Sequence, residues 1–523
     1  MISYDVIVIG SGFGGAVTAC RLAESGLKVL VLERGRRWET KDYPRDPDDA
    51  WLWDQDEPQD ENGWIDLRVM DDMWVVQGAG VGGGSLIYAN ISVEAQPRAF
   101  VRGWPEEITY EELKPYYERV GQMLQVQRLP ENQLTERYKL MKEAAEKLGY
   151  GERFRPLPLA VTFNPEYNYG LPDPFNDRHS KAWTNAQGQQ QGTCVHCGNC
   201  DIGCQVKAKN TLDLNYIPWA EKHGADVRPL HMAYNISQDR SRYIVRFNRI
   251  RNGRLVPGFE SAERVIVACG SLGSTELLLR ARDQHRTLTA ISPHLGRNWS
   301  SNGDFLTPAF YKQRRVSPSQ GPTITCAIDF LDGAVDGRRF FVEDGGFPNL
   351  LRDYVQSRAH SPRRRHRVIV NWLKSLAATD DPFGHVMPWF GQSMDAGDGR
   401  LYLGRPWYAP WRRALKLDWD VTRSEPTIQA MIDMHERLSA ATGGTPEVPP
   451  TWTLLKNLVT PHPLGGCNMG TTAANGVVDH RGQVFGYQGL YVADGAIVPR
   501  AIGLNPSRTI AALAERIAVK IIS

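Results

Sequence analysis

The chain of 523 residues lacks both a long uninterrupted hydrophobic run and an excess of charge of either sign. No apolar stretch approaches the roughly 20 residues that a transmembrane helix needs. Lys and Arg total 61 while Asp and Glu total 59, so no net field would attract nucleic acid. A strand pattern already begins at Tyr4, which leaves no room for the charged lead and apolar core of a secretory signal. We therefore expect a cytoplasmic protein that does not bind nucleic acid.

Cysteine is also scarce, and its eight residues do not form the disulfide framework of a small secreted protein. Four of them stand close together as Cys194, Cys197, Cys200 and Cys204, a spacing that is typical of ferredoxin iron–sulfur ligands. Gln205 follows where the ferredoxin run has proline, and the sequence has no second set of this kind. Two interpretations stay open: a bound metal or iron–sulfur cluster, and the favoured one, a structural box that holds a loop beside the nucleotide-binding domain.

The N-terminal sequence has the strand–turn–helix–strand order of a dinucleotide-binding unit. Residues 4–9 (YDVIVI) form a short apolar run without polar alternation, which is typical of a strand buried on both faces. The glycine turn GSGFGG follows at once, then a helical pattern over 14–25 and a second buried strand over 28–32. This context separates the motif from a chance glycine turn in an unrelated α/β protein.

The fingerprint residues have separate physical reasons. Gly10 permits the tight turn, Gly12 lets the backbone approach a pyrophosphate, and Gly15 allows the helix to pack closely on the strand. The amides at the start of the helix would hold the phosphates. Glu33 can accept the ribose hydroxyls, and its charge would repel a 2′-phosphate, which disfavours NADP. The predicted cofactor-binding residues of this unit are Gly10, Ser11, Gly12, Gly14, Gly15 and Glu33.

Two distant segments supply further strands of the same kind. Residues 263–270 (ERVIVACG) read as a buried strand that enters a glycine turn and a helix over 274–282. Residues 483–494 (QVFGYQGLYVAD) offer another strand that ends in a glycine turn. Strands contributed from distant parts of the chain predict a discontinuous domain, which suits a large cofactor held along its length.

Four more sequence blocks carry a family resemblance. They are GAGVGGGSLIYANI at 78–91, LGRNWSSNGD at 295–304, HPLGGC at 462–467 and DGAIVPRAIGLNPS at 494–507. With the N-terminal fingerprint they bracket nearly the whole chain, and the combination resembles the glucose–methanol–choline (GMC) oxidoreductase family, within it the cholesterol-oxidase-like group. The resemblance implies non-covalently bound FAD and a separate substrate domain whose sheet roofs the flavin.

The resemblance also implies roles for single residues. His462 would be the base or orienting group at a substrate hydroxyl, and Asn505 would position the substrate and contact the flavin. Asp494 and Gly495 would meet the ribityl and phosphate region. The segment Tyr88-Ala89-Asn90 departs from the Asn-Gly pair that is more common in the family. The implied flavin contacts of this glycine-rich block are Gly83, Gly84, Ser85 and Asn90.

A weaker similarity concerns residues 341–348 (FVEDGGFP), which resemble the cholesterol-oxidase segment whose Glu moves a proton between carbon 4 and carbon 6 of a steroid. A carboxyl group in an apolar pocket has a raised pKa and can shuttle such a proton. Glu343 is therefore a third candidate catalytic residue. An exposed carboxylate in a turn is the alternative interpretation.

These observations combine into one prediction of fold class and organisation. We predict an α/β protein (α+β overall), with an FAD-binding Rossmann-like domain and a substrate domain built on a mostly antiparallel sheet plus helices. The FAD domain is predicted over residues 1–100, 195–310 and 455–523, and the substrate domain over 101–194 and 311–454.

The predicted function is the FAD-dependent oxidation of a bulky apolar alcohol, with a 3β-hydroxysteroid as the leading candidate. Isomerisation of the Δ5 double bond to Δ4, and dioxygen or another electron acceptor, stay open. The alternatives are a long-chain or terpenoid alcohol oxidoreductase, and an electron-transfer flavoprotein that uses the cysteine box. The basic run 361–367 (SPRRRHR) beside the apolar run 368–373 is predicted to be a solvated surface, with transient contact to anionic lipid as the alternative.

Overall fold

A computed structural model describes residues 4–350, 353, 381–406 and 409–523. In this part of the chain, a parallel sheet and a larger antiparallel sheet are flanked by helices. The predicted α/β fold class, α+β overall, is confirmed. The predicted surface runs 361–367 and 368–373 lie outside the described residues.

The strands and helices are numbered in chain order through the described residues. Strands β1 to β12 span Val6–Ile9, Val29–Leu32, Ile65–Met70, Met73–Gly78, Gln127–Arg128, Phe154–Pro156, Pro158–Leu159, Trp183–Thr184, Gln190–Gln191, Asp226–Arg228, His231–Asp239 and Arg242–Arg251. Strands β13 to β23 span Arg254–Ala262, Arg264–Val267, Phe305–Phe310, Cys326–Asp329, Phe340–Asp344, Val386–Ser393, Arg400–Gly404, Ala414–Asp418, Thr445–Pro446, Leu458–Thr460 and Leu490–Val492. Helices α1 to α8 span Phe13–Glu24, Tyr110–Met123, Glu136–Lys147, Tyr216–Lys222, Gly270–Leu279, Glu425–Ala441, Pro450–Leu455 and Ser507–Ile522.

The parallel sheet has the strand order β10-β2-β1-β14-β23. The central strands β1 and β2 are apolar at every position and fully buried, as expected of strands covered on both faces. Its five strands come from three distant parts of the chain, so a discontinuous sheet forms as predicted. Because parallel strands all end at one edge, the turns after β1, β2, β14 and β23 lie together there.

The predicted start of the helix that follows β14 is wrong, and the reason is a long-range contact. The helix expected over 274–282 begins earlier, at Gly270. The backbone N–H of Gly270 donates to the carboxylate of Asp494 at 2.8 Å, and the Ser274 hydroxyl donates to the same oxygen at 2.5 Å. A carboxylate from the far end of the chain therefore caps the start of α5, and no local sequence signal could have indicated this.

The antiparallel sheet has the order β21-β15-β18-β17-β16-β6. Leu306, Phe390, Glu343 and Ala327 stand directly opposite one another across β15, β18, β17 and β16, so their side chains share one face. On the opposite face, the α6 side chain His435 contacts Thr307 of β15 at 3.0 Å. Helix α6 therefore covers one face of the sheet and leaves the Glu343 face for the cavity described below.

The predicted division into two domains stays a prediction. Strand β15, which it assigned to the FAD domain, pairs within the antiparallel sheet. In the described part of the chain, no helix combines the length and the apolar character that spanning a bilayer requires.

Candidate functional site

A cavity of about 860 Å³ lies at the carboxyl edge of the parallel sheet and reaches the antiparallel sheet. Its volume is in the upper part of the range of ligand pockets, roughly 300–1,000 Å³. The exposed face of the antiparallel sheet contributes Leu306 and Phe390 to the far wall. The turns after the four parallel strands line the near wall with Gly10, Glu33, Gly270 and Asp494.

The fingerprint glycines differ in how much room a side chain would have at each position. A Cβ on Gly10, whose φ is +95°, would lie 2.3 Å from the carbonyl oxygen of Ala268, and one on Gly15 would lie 2.0 Å from that of Gly10. A Cβ on Gly12 would make only ordinary van der Waals contact, 3.9 Å from the Gly83 Cα and the Gly84 nitrogen, and Gly12 lines the cavity. Packing therefore requires Gly10 and Gly15, whereas Gly12 keeps a backbone surface open for a ligand.

Glu33 lies at the end of β2 against the cavity. Its Oε2 accepts hydrogen bonds from the Ser11 backbone N–H at 3.0 Å and the Ser11 hydroxyl at 2.7 Å, and its Oε1 accepts from the Gly35 N–H at 2.9 Å. Burial raises the pKa of this carboxyl group, and the three donors oppose that shift. Oε1 has one partner and can accept a second donor such as a ribose hydroxyl.

The glycine-rich loop before Ser85 presents its backbone to the same cavity. A Cβ on Gly84 would meet no protein atom within 4 Å, while one on Gly83 would lie 2.6 Å from the Cα of Gly12. The Ser85 side chain points inward: its hydroxyl donates to the Gly82 carbonyl at 2.8 Å and accepts from the Leu212 N–H at 3.1 Å.

Asn90 lies deeper behind the same loop. It is fully buried with φ of +67°, and both polar atoms of its side chain lack a hydrogen-bond partner among the described residues. The predicted flavin contacts of Ser85 and Asn90 stay predictions.

His462 follows β22 closely and lines the cavity. Its Nδ1 lies 2.9 and 3.0 Å from the two carboxylate oxygens of Asp304, which is completely buried. The Thr460 hydroxyl accepts the His462 backbone N–H at 2.9 Å and lies 2.5 Å from Asp304 Oδ2. The imidazole ring is thus fixed through Nδ1, and its other nitrogen is left for a cavity ligand.

Asn505 and Glu343 form a second polar group, which reaches the cavity through Asn505. Asn505 lines the cavity, and its side-chain N–H donates to Glu343 Oε2 at 3.4 Å. Gln392 donates to the same oxygen at 2.8 Å. Three buried oxygens of this group, one on each side chain, have no donor among the described residues. The group therefore has more acceptors than donors, and a ligand hydroxyl or a proton on the carboxylate would satisfy one of the unpaired oxygens.

The structure brings Glu343 into the interior, so the alternative of an exposed turn carboxylate is wrong. The residue lies on β17, opposite Phe390, and is 0% exposed. Burial raises its pKa well above the usual value, and the nearby carboxylates Asp344 and Asp304 add to the rise, while Gln392 and Asn505 oppose it.

One short segment positions both halves of the site. Asn302 accepts the backbone N–H groups of Ile502 and Gly503 at 3.1 and 3.0 Å and donates to the Leu504 carbonyl at 2.9 Å, which fixes the loop before Asn505. Two residues later, Asp304 holds His462. This block carries part of the family resemblance, but none of its residues is among the predicted site residues. Its density of short polar side chains near a glycine was the available signal.

The cysteine box forms part of the cavity wall through Asp201 and Ile202. The four thiols are free, and the Sγ atoms of Cys194 and Cys204 accept the backbone N–H groups of His196 and Ala208. Among the described residues, no group of three or more His, Cys, Asp or Glu side chains is arranged to hold a metal ion.

A buried cation ties this box to the glycine-rich loop. Lys209 Nζ donates to the carbonyls of Leu86, Tyr88 and Cys200 at 2.8, 3.0 and 2.6 Å. These hydrogen bonds have a structural role, because they hold the glycine-rich loop, whose backbone faces the cavity, against the cysteine box. Burial lowers the pKa of Lys209 to about 8.

The fold and the cavity define a class, the dinucleotide-binding oxidoreductases with a ligand at the carboxyl edge of a parallel sheet. Residues 398–514 match the family described as GMC oxidoreductase, and residues 8–39 match the NAD(P)-binding Rossmann-like domain. The chain is 30% identical to a cholesterol oxidase of Acinetobacter baumannii, over 98% of this chain and 93% of the relative.

More distant likenesses extend over the same length. A long-chain-alcohol oxidase of Arabidopsis thaliana is 23% identical, over 100% of this chain and 67% of that protein. The crystal structure of pyridoxine 4-oxidase from Mesorbium loti is similar with a TM-score of 0.63 and 16% identity, covering 99% of both chains.

The chain belongs to the GMC oxidoreductase family, in its cholesterol-oxidase-like group. It is accordingly an FAD-dependent oxidoreductase that acts on an alcohol. The cavity residues fit FAD: its lining includes the Glu33 carboxyl group, glycine backbone at Gly12 and Gly84, and Asn505, whose Oδ1 has no hydrogen-bond partner among the described residues.

Proposed function

We propose that the protein oxidises the hydroxyl group of a bulky apolar alcohol, with a 3β-hydroxysteroid as the leading substrate. The observation that carries this proposal is the cavity face of the antiparallel sheet, where the apolar side chains of Leu306 and Phe390 line the cavity and the buried acid Glu343 stands opposite Phe390. An apolar wall favours a large hydrocarbon skeleton. The likeness to a cholesterol oxidase supports the same substrate class.

In the proposed reaction, His462 removes the hydroxyl proton of the substrate. Its Nδ1 is engaged by Asp304, so Nε2 is the nitrogen that accepts this proton. Bound FAD supplies the acceptor for the hydride that leaves the carbinol carbon. The Asn505 amide orients the hydroxyl, and its unpartnered Oδ1 is available to accept a hydrogen bond. Dioxygen is the proposed final electron acceptor.

Glu343 is proposed to perform the second step on a steroid, the isomerisation. Once the ketone has formed, the carboxylate takes the proton from carbon 4 and returns it to carbon 6, so that no electrons are gained or lost overall. A burial-raised pKa suits this role, because the group must accept a proton readily and then release it.

The cofactor contacts are proposed from the same residues that the sequence indicated. We infer non-covalent binding of FAD, with the glycine turn at the pyrophosphate and Glu33 at the ribose. The proposed contacts are Gly10, Ser11, Gly12, Gly14, Gly15, Glu33, Gly83, Gly84, Ser85, Asn90, Asp494, Gly495 and Asn505.

A substrate panel tests the proposed function. Holoenzyme is mixed anaerobically with a 3β-hydroxysteroid, a long-chain primary alcohol or a terpenoid alcohol in one detergent, and bleaching of the flavin is followed. We expect the steroid to react fastest and to yield a conjugated enone, while Glu343→Gln should release the unconjugated ketone. Faster bleaching by the long-chain alcohol would favour the alternative that the Arabidopsis relative supports.

The same assay tests the site assignment. His462→Gln should slow bleaching by on the order of 10²- to 10⁴-fold, because a positioned general base contributes about that much. His435→Gln is the matched control, since this buried histidine contacts the other face of the same sheet through Thr307. If both His462→Gln and Asn505→Ala retain full turnover, the assignment of the active site is wrong.

A further inference from the structure

A completely buried carboxylate lies directly behind the histidine that faces the cavity. Both oxygens of Asp304 are within 3.0 Å of His462 Nδ1, and the carboxyl side chain has no solvent exposure. The Thr460 hydroxyl lies 2.5 Å from Asp304 Oδ2 and receives the His462 backbone N–H. The contacts form a closed ring of three residues around one side of the imidazole.

This arrangement selects one tautomer of the ring. A carboxylate only accepts hydrogen bonds, so the Nδ1 atom that faces Asp304 carries the hydrogen. Nε2 then keeps its lone pair, and His462 retains 17% of its side-chain surface towards the cavity. An amide or a water in place of the carboxylate would not impose this choice.

We propose that Asp304 is a positioning residue of the oxidation: it fixes His462 with its hydrogen on Nδ1 and balances the positive charge that the ring acquires. This inference rests on the proposed function. As the substrate O–H bond breaks, its proton goes to Nε2, and as the carbinol C–H bond breaks, its electron pair leaves as hydride to FAD and the C=O bond forms. Asp304 itself takes up no proton and acts through the imidazolium beside it.

A neighbouring carboxylate shows what a purely structural role looks like. Asp395 is also buried, and it accepts hydrogen bonds from the Ser300 hydroxyl, the Ser301 hydroxyl and N–H, and the Gly397 N–H. Two of these partners, Ser300 and Ser301, belong to the segment that carries Asp304. Asp395 therefore provides a matched control for disturbance of this segment without loss of the contact to His462.

Chemical rescue tests the proposal in the holoenzyme. Asp304→Ala should retain FAD and slow anaerobic flavin bleaching by up to about 10⁴-fold, the size of the loss when the corresponding Asp of a serine-protease triad is replaced. Added formate should raise the bleaching rate of Asp304→Ala at least about tenfold, because it can occupy the vacated space beside Nδ1. Asp395→Ala should gain nothing from formate. A bleaching rate near that of the wild type in Asp304→Ala would overturn the proposal.

A second measurement is independent of turnover. In ¹⁵N NMR of protein with labelled histidine, the His462 signals, assigned by their loss in His462→Gln, should report a hydrogen on Nδ1 in the wild type. The isosteric Asp304→Asn, which serves if Asp304→Ala does not fold, should lose this signature. Unchanged signals in Asp304→Asn would contradict the proposal, whatever the activity.

The outcomes separate this inference from the proposed function. If His462→Gln bleaches normally, the proposed base is wrong and the proposed function fails with it. If His462→Gln is slow while Asp304→Ala is fast and the tautomer signals do not change, the proposed function stands and only the role of Asp304 fails.

Discussion

The two sheets that enclose the cavity contribute to it in different ways. The parallel sheet contributes turns at its carboxyl edge, and there Gly12 and Gly84, which carry no side chain, expose their backbone to the cavity. The antiparallel sheet offers a row of side chains, with Phe390 and Glu343 side by side on adjacent strands. The cofactor end is therefore specified by the absence of side chains, and the substrate end by their identity and register.

The largest expected effect concerns two glycines of the cofactor end, which should respond to substitution in opposite ways. A Cβ on Gly14 would lie 1.9 Å from the Ala493 carbonyl oxygen, whereas one on Gly84 would meet no protein atom within 4 Å. Gly14→Ala should therefore cost about 3 kcal/mol or more and abolish the folded flavoprotein, because α1 would be pushed off the end of β23. Gly84→Ala should change the stability of the FAD-free protein by less than about 0.5 kcal/mol.

The measurements are thermal unfolding with and without FAD, and the flavin-to-protein absorbance ratio after gel filtration. Gly84→Ala should fold normally yet lose flavin, since the open space at this residue is where we place the cofactor. Full flavin retention by Gly84→Ala would show that this backbone surface is not a cofactor contact.

The difference between the sheets also explains what the sequence could predict. The first strand, the glycine turn and α1 lie within a span of about twenty residues, and their order alone identifies them. The burial of Glu343 depends instead on the register of β17 between β16 and β18, which no local pattern encodes. Sequence similarity indicated Glu343 as a candidate but could not tell a buried strand from an exposed turn.

Long-range pairings set the same limit within the site. His462 and Asp304 are 158 positions apart in sequence, and Asn302 holds a loop about 200 positions away. The histidine was predictable because it stands in the recognisable block HPLGGC. Its partner Asp304 also stands in a recognisable block, LGRNWSSNGD, but nothing in the sequence indicates that this carboxylate meets His462 until the start of β15 is placed.

A smaller effect is expected at the apolar wall of the substrate end. Phe390 lines the cavity, and its ring centre is 6.2 Å from that of His462. Phe390→Ala should lower kcat/KM for a bulky apolar alcohol by about tenfold, because apolar contact of this size contributes roughly 1–3 kcal/mol. A short linear alcohol, assayed with the same variant, is the control and should change much less. An equal loss for both alcohols would mean that Phe390 shapes the catalytic group rather than the substrate pocket.

The smallest effect concerns stability and distinguishes the buried acids of the two sheets. Burial raises the pKa of both Glu343 and Glu33. An unfolded Glu ionises near pH 4.3, so above that pH ionisation lowers the free energy of the unfolded chain. A folded Glu343 that is still protonated does not lower the free energy of the native state in the same way. Glu343 therefore costs no stability below about pH 4 and progressively more as the pH rises towards its folded pKa.

Glu343→Gln should accordingly raise Tm by about 1–3 °C at pH 8 and leave it unchanged near pH 4. Glu33→Gln should instead lower Tm at pH 8, because its carboxylate accepts N–H groups from Ser11 and Gly35 on different oxygens, and an amide would turn its NH₂ against one of these donors. Calorimetry of the two variants across this pH range makes the comparison. A gain in Tm for Glu33→Gln, or no gain for Glu343→Gln at high pH, would contradict the distinction between Glu33, which stabilises the fold through its hydrogen bonds, and Glu343, whose burial lowers stability.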